Sequence, residues 1–72
     1  MATVTVPCVE QIGETAGIVW HVLEDQGPLS MAKLVKAAGQ HRDFVMQAVG
    51  WLAREDKVII EENSRGRVVS LV

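Results

Sequence analysis

Residues 42–55, Arg-Asp-Phe-Val-Met-Gln-Ala-Val-Gly-Trp-Leu-Ala-Arg-Glu, constrain the fold more than any other stretch of this chain. At about 100° per residue, Phe44, Val45, Ala48, Val49, Trp51 and Leu52 share one side of a helix. Asp43, Met46, Gln47, Gly50 and Arg54 share the other, with Arg42 at the border. So wide an apolar face has to be buried against more than one neighbour.

Two further helices are available for that. Ile12, Ala16, Val19, Trp20 and Leu23 recur at helical spacing and predict a helix over residues 11–26. Gly27 and Pro28 end it. After a brief extended link at Pro28 and Leu29, Ser30 is a good N-cap for a second helix. Met31, Leu34, Val35 and Ala38 form the apolar stripe of that helix, Lys33 and Lys36 point outward, and Gly39 closes it. Gln40, His41 and Arg42 form the turn into the third helix. Residues 57–62 contain Val58, Ile59 and Ile60 and predict a strand. Asn63-Ser64-Arg65-Gly66 is a turn, and Val68, Val69, Leu71 and Val72 return as a second strand. Thr3 to Val6 is β-branched and stops at Pro7, which fits either a short edge strand or an extended arm.

Helix, turn, helix, then hairpin is the order of a winged helix-turn-helix. The expected fold class is α+β, mainly α: three helices plus a two- or three-stranded antiparallel β wing. The division is an N-terminal arm or short strand over residues 1–10 and one winged helix-turn-helix domain over residues 11–72. The expected core comprises Ile12, Ala16, Val19, Trp20, Leu23, Leu34, Phe44, Val45, Ala48, Leu52 and Ile59. Trp20 and Trp51, both on apolar faces, are expected to be core residues rather than ligand-stacking ones. Ile18 and Val22 form a second apolar row beside the main stripe. That row is either a dimer surface or is covered by the N-terminal arm or the last strand.

Composition narrows the function. A 72-residue chain makes one domain, and a domain this small is marginal alone. Cys8 is the single cysteine, so no disulfide forms within the chain. It is expected to stay a reduced thiol in the cytoplasm. His21 and His41 are widely spaced and lack a ligand constellation, so no metal or other cofactor is expected. Self-association is the remaining route to added stability. There is no signal-peptide pattern and no apolar run near the ~18 residues of a membrane span, so no membrane partner is expected. No Ser/His/Asp or Cys/His grouping, phosphate-cradling glycine loop or metal motif is present. The chain is therefore not expected to be an enzyme or to bind a small-molecule substrate.

Net charge is −2, unevenly spread. Residues 1–27 carry Glu10, Glu14, Glu24 and Asp25. Residues 28–54 carry Lys33, Lys36, Arg42 and Arg54 against Asp43 alone, which makes this the positive third of the chain. That asymmetry suits phosphate binding to double-stranded DNA. A helix-turn-helix reads bases from the N-terminal half of its second helix, here Arg42, Asp43, Met46 and Gln47. Arg42 has the geometry to pair with guanine and Gln47 with adenine. Lys33, Lys36, Gln40, His41 and Arg54 are candidates for phosphate contacts, and Arg65 and Arg67 for contacts from the wing tip. Against this, the pI is about 5.5. DNA-binding domains typically lie above ~9. Asp43 repels phosphate, Met46 is apolar and Gly50 has no side chain. Those features fit the alternative function, a protein-interaction or homodimerisation module on the same scaffold without DNA binding.

The segments Ile12-Gly-Glu-Thr-Ala-Gly-Ile-Val-Trp-His-Val-Leu23 and Ala48-Val-Gly-Trp-Leu-Ala-Arg-Glu55 carry a resemblance, together with Gly27-Pro-Leu-Ser30 and Leu34-Val-Lys-Ala-Ala-Gly39. From Ile12 to its end the chain resembles a family of small stand-alone winged helix-turn-helix proteins of bacteria and archaea. The resemblance implies the same fold, a DNA-binding role inferred from architecture, and a homodimer; the expected function is that of a DNA-binding protein used in transcription regulation.

Overall fold

The computed structural model describes residues 7–72. Helix α1 spans Val9–Gln26, β1 Leu29–Ser30, α2 Met31–Ala38, α3 Arg42–Arg54, β2 Val58–Asn63 and β3 Gly66–Leu71. The three helices and a three-stranded antiparallel sheet agree with the expected class. The segment Thr3–Val6 lies outside the described residues.

Helix α1 starts two residues earlier than its apolar pattern predicts. The Ile12 amide donates to the Cys8 carbonyl at 2.9 Å, closing the first turn immediately after Pro7. Glu10 in that turn complements the helix dipole. At the other end the Gly27 amide donates to the Leu23 carbonyl at 2.9 Å. Gly27 then takes φ 78° and ψ −163°, a conformation that glycine alone adopts readily. Helix α2 is capped as its sequence predicts. The Lys33 amide donates to Ser30 Oγ at 3.3 Å, and Gly39 closes the helix in the left-handed region.

The end of α3 uses a less usual residue. The Lys57 amide donates to the Leu52 carbonyl at 2.9 Å and the Asp56 amide to the Ala53 carbonyl at 3.1 Å. This is the double bond pattern of a Schellman stop, which normally places glycine in the left-handed position. Here Asp56 occupies it at φ 60°. Aspartate tolerates that region better than most residues, and it frees the chain to enter β2 directly.

Sheet order is β1-β3-β2. Register runs from Val58↔Leu71 to Asn63↔Gly66 across the hairpin. Strand β1 pairs as Leu29↔Val69 and Ser30↔Val68. The link predicted as merely extended is thus the third strand. At the hairpin tip the Arg65 amide donates to Asn63 Oδ1 at 2.9 Å. The positive φ that this turn needs falls on Gly66.

Ala16, Val19 and Leu23 of α1 meet Leu34 of α2 and Val45, Ala48, Val49 and Leu52 of α3 in the core. Met31, Ala38, Val58 and Val69 complete it. Several expected core residues lie elsewhere. Ile59 is 46 % exposed, because the strand alternation assigns the core-facing place to its neighbour Val58. Three adjacent β-branched residues do not reveal their phase from sequence. Ile12, Trp20 and Phe44 are half-buried at the margins of the helix contacts. Trp51, expected in the core, is 47 % exposed. It occupies the edge of the apolar arc of α3, beside Gly13 and Gly17 of α1, which have no side chains to cover it. Among the described residues no helix is long and apolar enough to cross a membrane.

Candidate nucleic-acid interface

The β1–β3 pairing is what assembles the site. With Ser30 opposite Val68, the first turn of α2 stands beside the returning strand of the hairpin. Arg67 precedes Val68, and Arg65 lies in the turn before it. Helix α3 supplies the third wall. A cleft of about 350 Å³ results, lined by Ser30 of β1, which caps α2, by Met31 and Ala32 from α2, Arg42 and Met46 from α3, and Arg65, Gly66 and Arg67 from the hairpin.

Arg42, Met46, Arg65 and Arg67 are therefore brought together from two distant parts of the chain. Arg42, Arg65 and Arg67 are all exposed. Arg67 is partly engaged, with its Nε 3.5 Å from Glu62 Oε1, its cross-strand neighbour. An exposed pair of this kind contributes little to stability, so the guanidinium can exchange Glu62 for another anion at small cost. Arg42 and Arg65 make no ion pair among the described residues. The open end of α2 adds the partial positive charge of a helix N-terminus to the same cleft.

Met46 is half-buried and packs against the core, so only part of it faces the cleft. Lys33, Lys36, Gln40, His41, Gln47 and Arg54 are exposed but do not line the cleft. Lys33 and Lys36 are cationic residues of α2 and Arg54 of α3, and Gln47 is a neutral amide on α3. Ile18 and Val22, the second apolar row of α1, are half-buried and pack against the core. Among the described residues no group of three or more His, Cys, Asp or Glu could hold a metal ion.

Sequence reasoning missed Ser30, Met31, Ala32 and Gly66 as lining residues. Ser30 was legible as a cap. Its place next to Arg67 was not, because it depends on a two-residue strand pairing across 38 positions of sequence.

Residues 9–71 match the model of the family described as "Winged helix-turn-helix domain (DUF2582)". An uncharacterised protein of Methanocaldococcus jannaschii is 36% identical over 63 residues, covering 85% of this chain and 90% of the relative. A Bacteroides thetaiotaomicron protein solved by solution NMR is 34% identical, with a TM-score of 0.77 over 86% of this chain and 76% of its own. Two more distant structures share the fold. The Zalpha domain of Carassius auratus PKZ, solved in complex with Z-DNA, has a TM-score of 0.74 at 18% identity, covering 85% of this chain and 97% of its own. Bordetella bronchiseptica BpsR, whose DNA binding is regulated by 6-hydroxynicotinic acid, has a TM-score of 0.78 at 22% identity. That match covers 94% of this chain and 53% of BpsR.

Proposed function

The chain belongs to the winged helix-turn-helix family DUF2582, and from that premise we propose that it is a double-stranded DNA-binding protein. In this reading α3 is the recognition helix and the β2–β3 hairpin is the wing. The observation that carries it is the convergence of Arg42, Arg65 and Arg67 on one cleft beside the α2 N-terminus. Three guanidinium groups gathered on a chain of net charge −2 concentrate the positive potential where a phosphate backbone would lie. The DNA-binding neighbours of the same fold support the reading by analogy.

Within the site the roles divide by side chain. Arg42, Arg65 and Arg67 hold phosphates, with Lys33, Lys36, Gln40, His41 and Arg54 as outer contacts. Gln47 faces outward on α3 and is the residue best suited to read a base edge. Met46 and Gly50 offer no hydrogen-bonding side chain. Affinity should then derive mainly from the backbone, with modest sequence preference. The role proposed for it is transcription regulation in the cytoplasm, as a homodimer. The second reading, a protein-interaction or homodimerisation module, is favoured by one observation, the half-exposed Trp51 outside the basic cleft.

Fluorescence anisotropy with a labelled mixed-sequence duplex across a salt series tests the proposal. Binding at low salt that weakens steeply as salt rises is the expected result. Absence of binding at the lowest salt would overturn it and leave the second reading.

A further inference from the structure

A second surface lies between α1 and α3 and shares no residue with the basic cleft. Two adjoining hollows of about 290 and 310 Å³ have Gly13 and Trp51 in common. The first is lined by both tryptophans, by His21 and Lys57, and by Gly17. The second adds only Val9 and Ile12. Together they form a furrow with one polar end and one apolar end.

Its walls and floor suit a flat ligand. Trp51 is 47 % exposed, and Trp20 is half-buried. Trp20 stands edge-on to His21, with ring centroids 5.4 Å apart and an interplanar angle of 86°. Gly13 and Gly17 lie one helical turn apart, both exposed, and a Cβ built on either would meet no neighbouring heavy atom within 4 Å. Glycine inside a helix is unfavourable relative to alanine. Here it leaves the α1 backbone open to a ring laid beside the indoles. A ring buried against indoles gains offset or edge-to-face stacking beyond its area. A space of about 290 Å³ is at the small end of ligand sites and suits about one or two rings.

The charges select the substituent on that ring. Lys57 and His21 line the polar end, and among the described residues no carboxylate lines either hollow. His21 Nδ1 is 3.8 Å from Glu24 Oε1, whereas Lys57 makes no ion pair among the described residues. The other nearby carboxylates are Glu10 at the apolar end and Glu55 and Asp56 just before Lys57, all exposed. The negative end of α3 is already capped. The Trp51, Leu52 and Ala53 carbonyls accept from the Glu55, Lys57 and Asp56 amides at 3.0, 2.9 and 3.1 Å. An anion at the polar end would therefore meet an unengaged ammonium, and a cation would be repelled by it. We propose that the furrow binds a small planar aromatic carboxylate, with its ring between Trp20 and Trp51 and its carboxylate on Lys57. This binding activity goes beyond the DNA-binding reading and does not rest on it.

An NMR titration of the full chain with 2-naphthoate, without DNA, tests this, so either proposal can fail alone. Saturable shifts should appear at the Trp20 and Trp51 indole N–H signals and at the Gly13 and Gly17 amides. The neutral 2-naphthamide should bind about tenfold more weakly, through loss of one charge-assisted hydrogen bond. Octanoate, with the charge but no ring, should also bind more weakly than 2-naphthoate. Lys57→Gln should abolish the preference for acid over amide. Gly17→Gln fills the floor at a position with free space and raises helix propensity. It should abolish the shifts while melting no lower than wild type. Absence of saturable shifts, equal affinity for acid and amide in the wild type, or binding unaffected by Gly17→Gln would each overturn the proposal. Octanoate binding as tightly as 2-naphthoate would overturn the aromatic class. The same signals moving with protein concentration alone would show that a second copy fills the furrow instead, and would overturn it too.

Discussion

The first turns of α3 and its last turns face opposite chemistry. At the start, Arg42 and Met46 border a basic cleft with the α2 N-terminus and the hairpin tip. Toward the end, Trp51 and Leu52 border an apolar furrow with Gly13 and Trp20 of α1. The furrow is built by helix periodicity, from residues whose spacing alone places them on facing stripes. The cleft is built by sheet register, which brings Arg65 and Arg67 to a helix start far away in sequence. One short helix can therefore serve two surfaces, provided that its buried arc fixes both at once.

Removing that shared support should have the largest effect. Leu34 is fully buried among all three helices, and Leu34→Ala should destabilise the fold by about 3 kcal/mol. Thermal melting reads this, and both surfaces should fail together. A variant that lost one surface and kept the other would break the idea of a common core. The second effect should be confined to the cleft. Replacing Arg42, Arg65 and Arg67 together by alanine should lower the salt slope of duplex binding by about three, one per phosphate contact. Tryptophan emission should be unchanged. An unaltered slope would remove the cleft from the interface.

Smaller changes separate the two ends more finely. Ser30→Ala removes the side-chain acceptor at the α2 start and should cost about 1 kcal/mol in a denaturant melt. It should also loosen the cleft wall, with a modest loss of duplex affinity. Asp56→Gly at the α3 end should do the reverse and stabilise by about 0.5 kcal/mol. It places glycine where φ is 60° and removes a carboxylate from the helix C-terminus. A loss of stability on that substitution would show that the Asp56 side chain contributes more than its backbone strain costs.

The pattern of what was legible follows the same division. The three helices, the stops of α1 and α2 and the hairpin were readable because each depends on local signals: periodicity, Ser30, Gly27, Gly39 and Asn63 to Gly66; the α3 stop at Asp56 was not, because aspartate rarely takes the place of glycine there. Most of the core followed from those stripes. Ile59 was misplaced because Val58, Ile59 and Ile60 give no phase to a strand. Trp51 was misplaced because a helical wheel shows an apolar arc but not how much of it the neighbours can cover. For the site, Arg42 was readable from the helix start and Arg65 and Arg67 from the hairpin. That they share a cleft with Ser30 was not, since β1 is too short to announce itself and its partner lies at the far end of the chain.

The most direct test of the central account is an amide chemical-shift titration with mixed-sequence duplex DNA, at low and then physiological salt. The account predicts salt-sensitive shifts at residues 30–33, 42–47 and 65–67, with Gly13, Gly17 and Trp51 undisturbed. Shifts centred on the α1–α3 furrow, or none even at low salt, would contradict it.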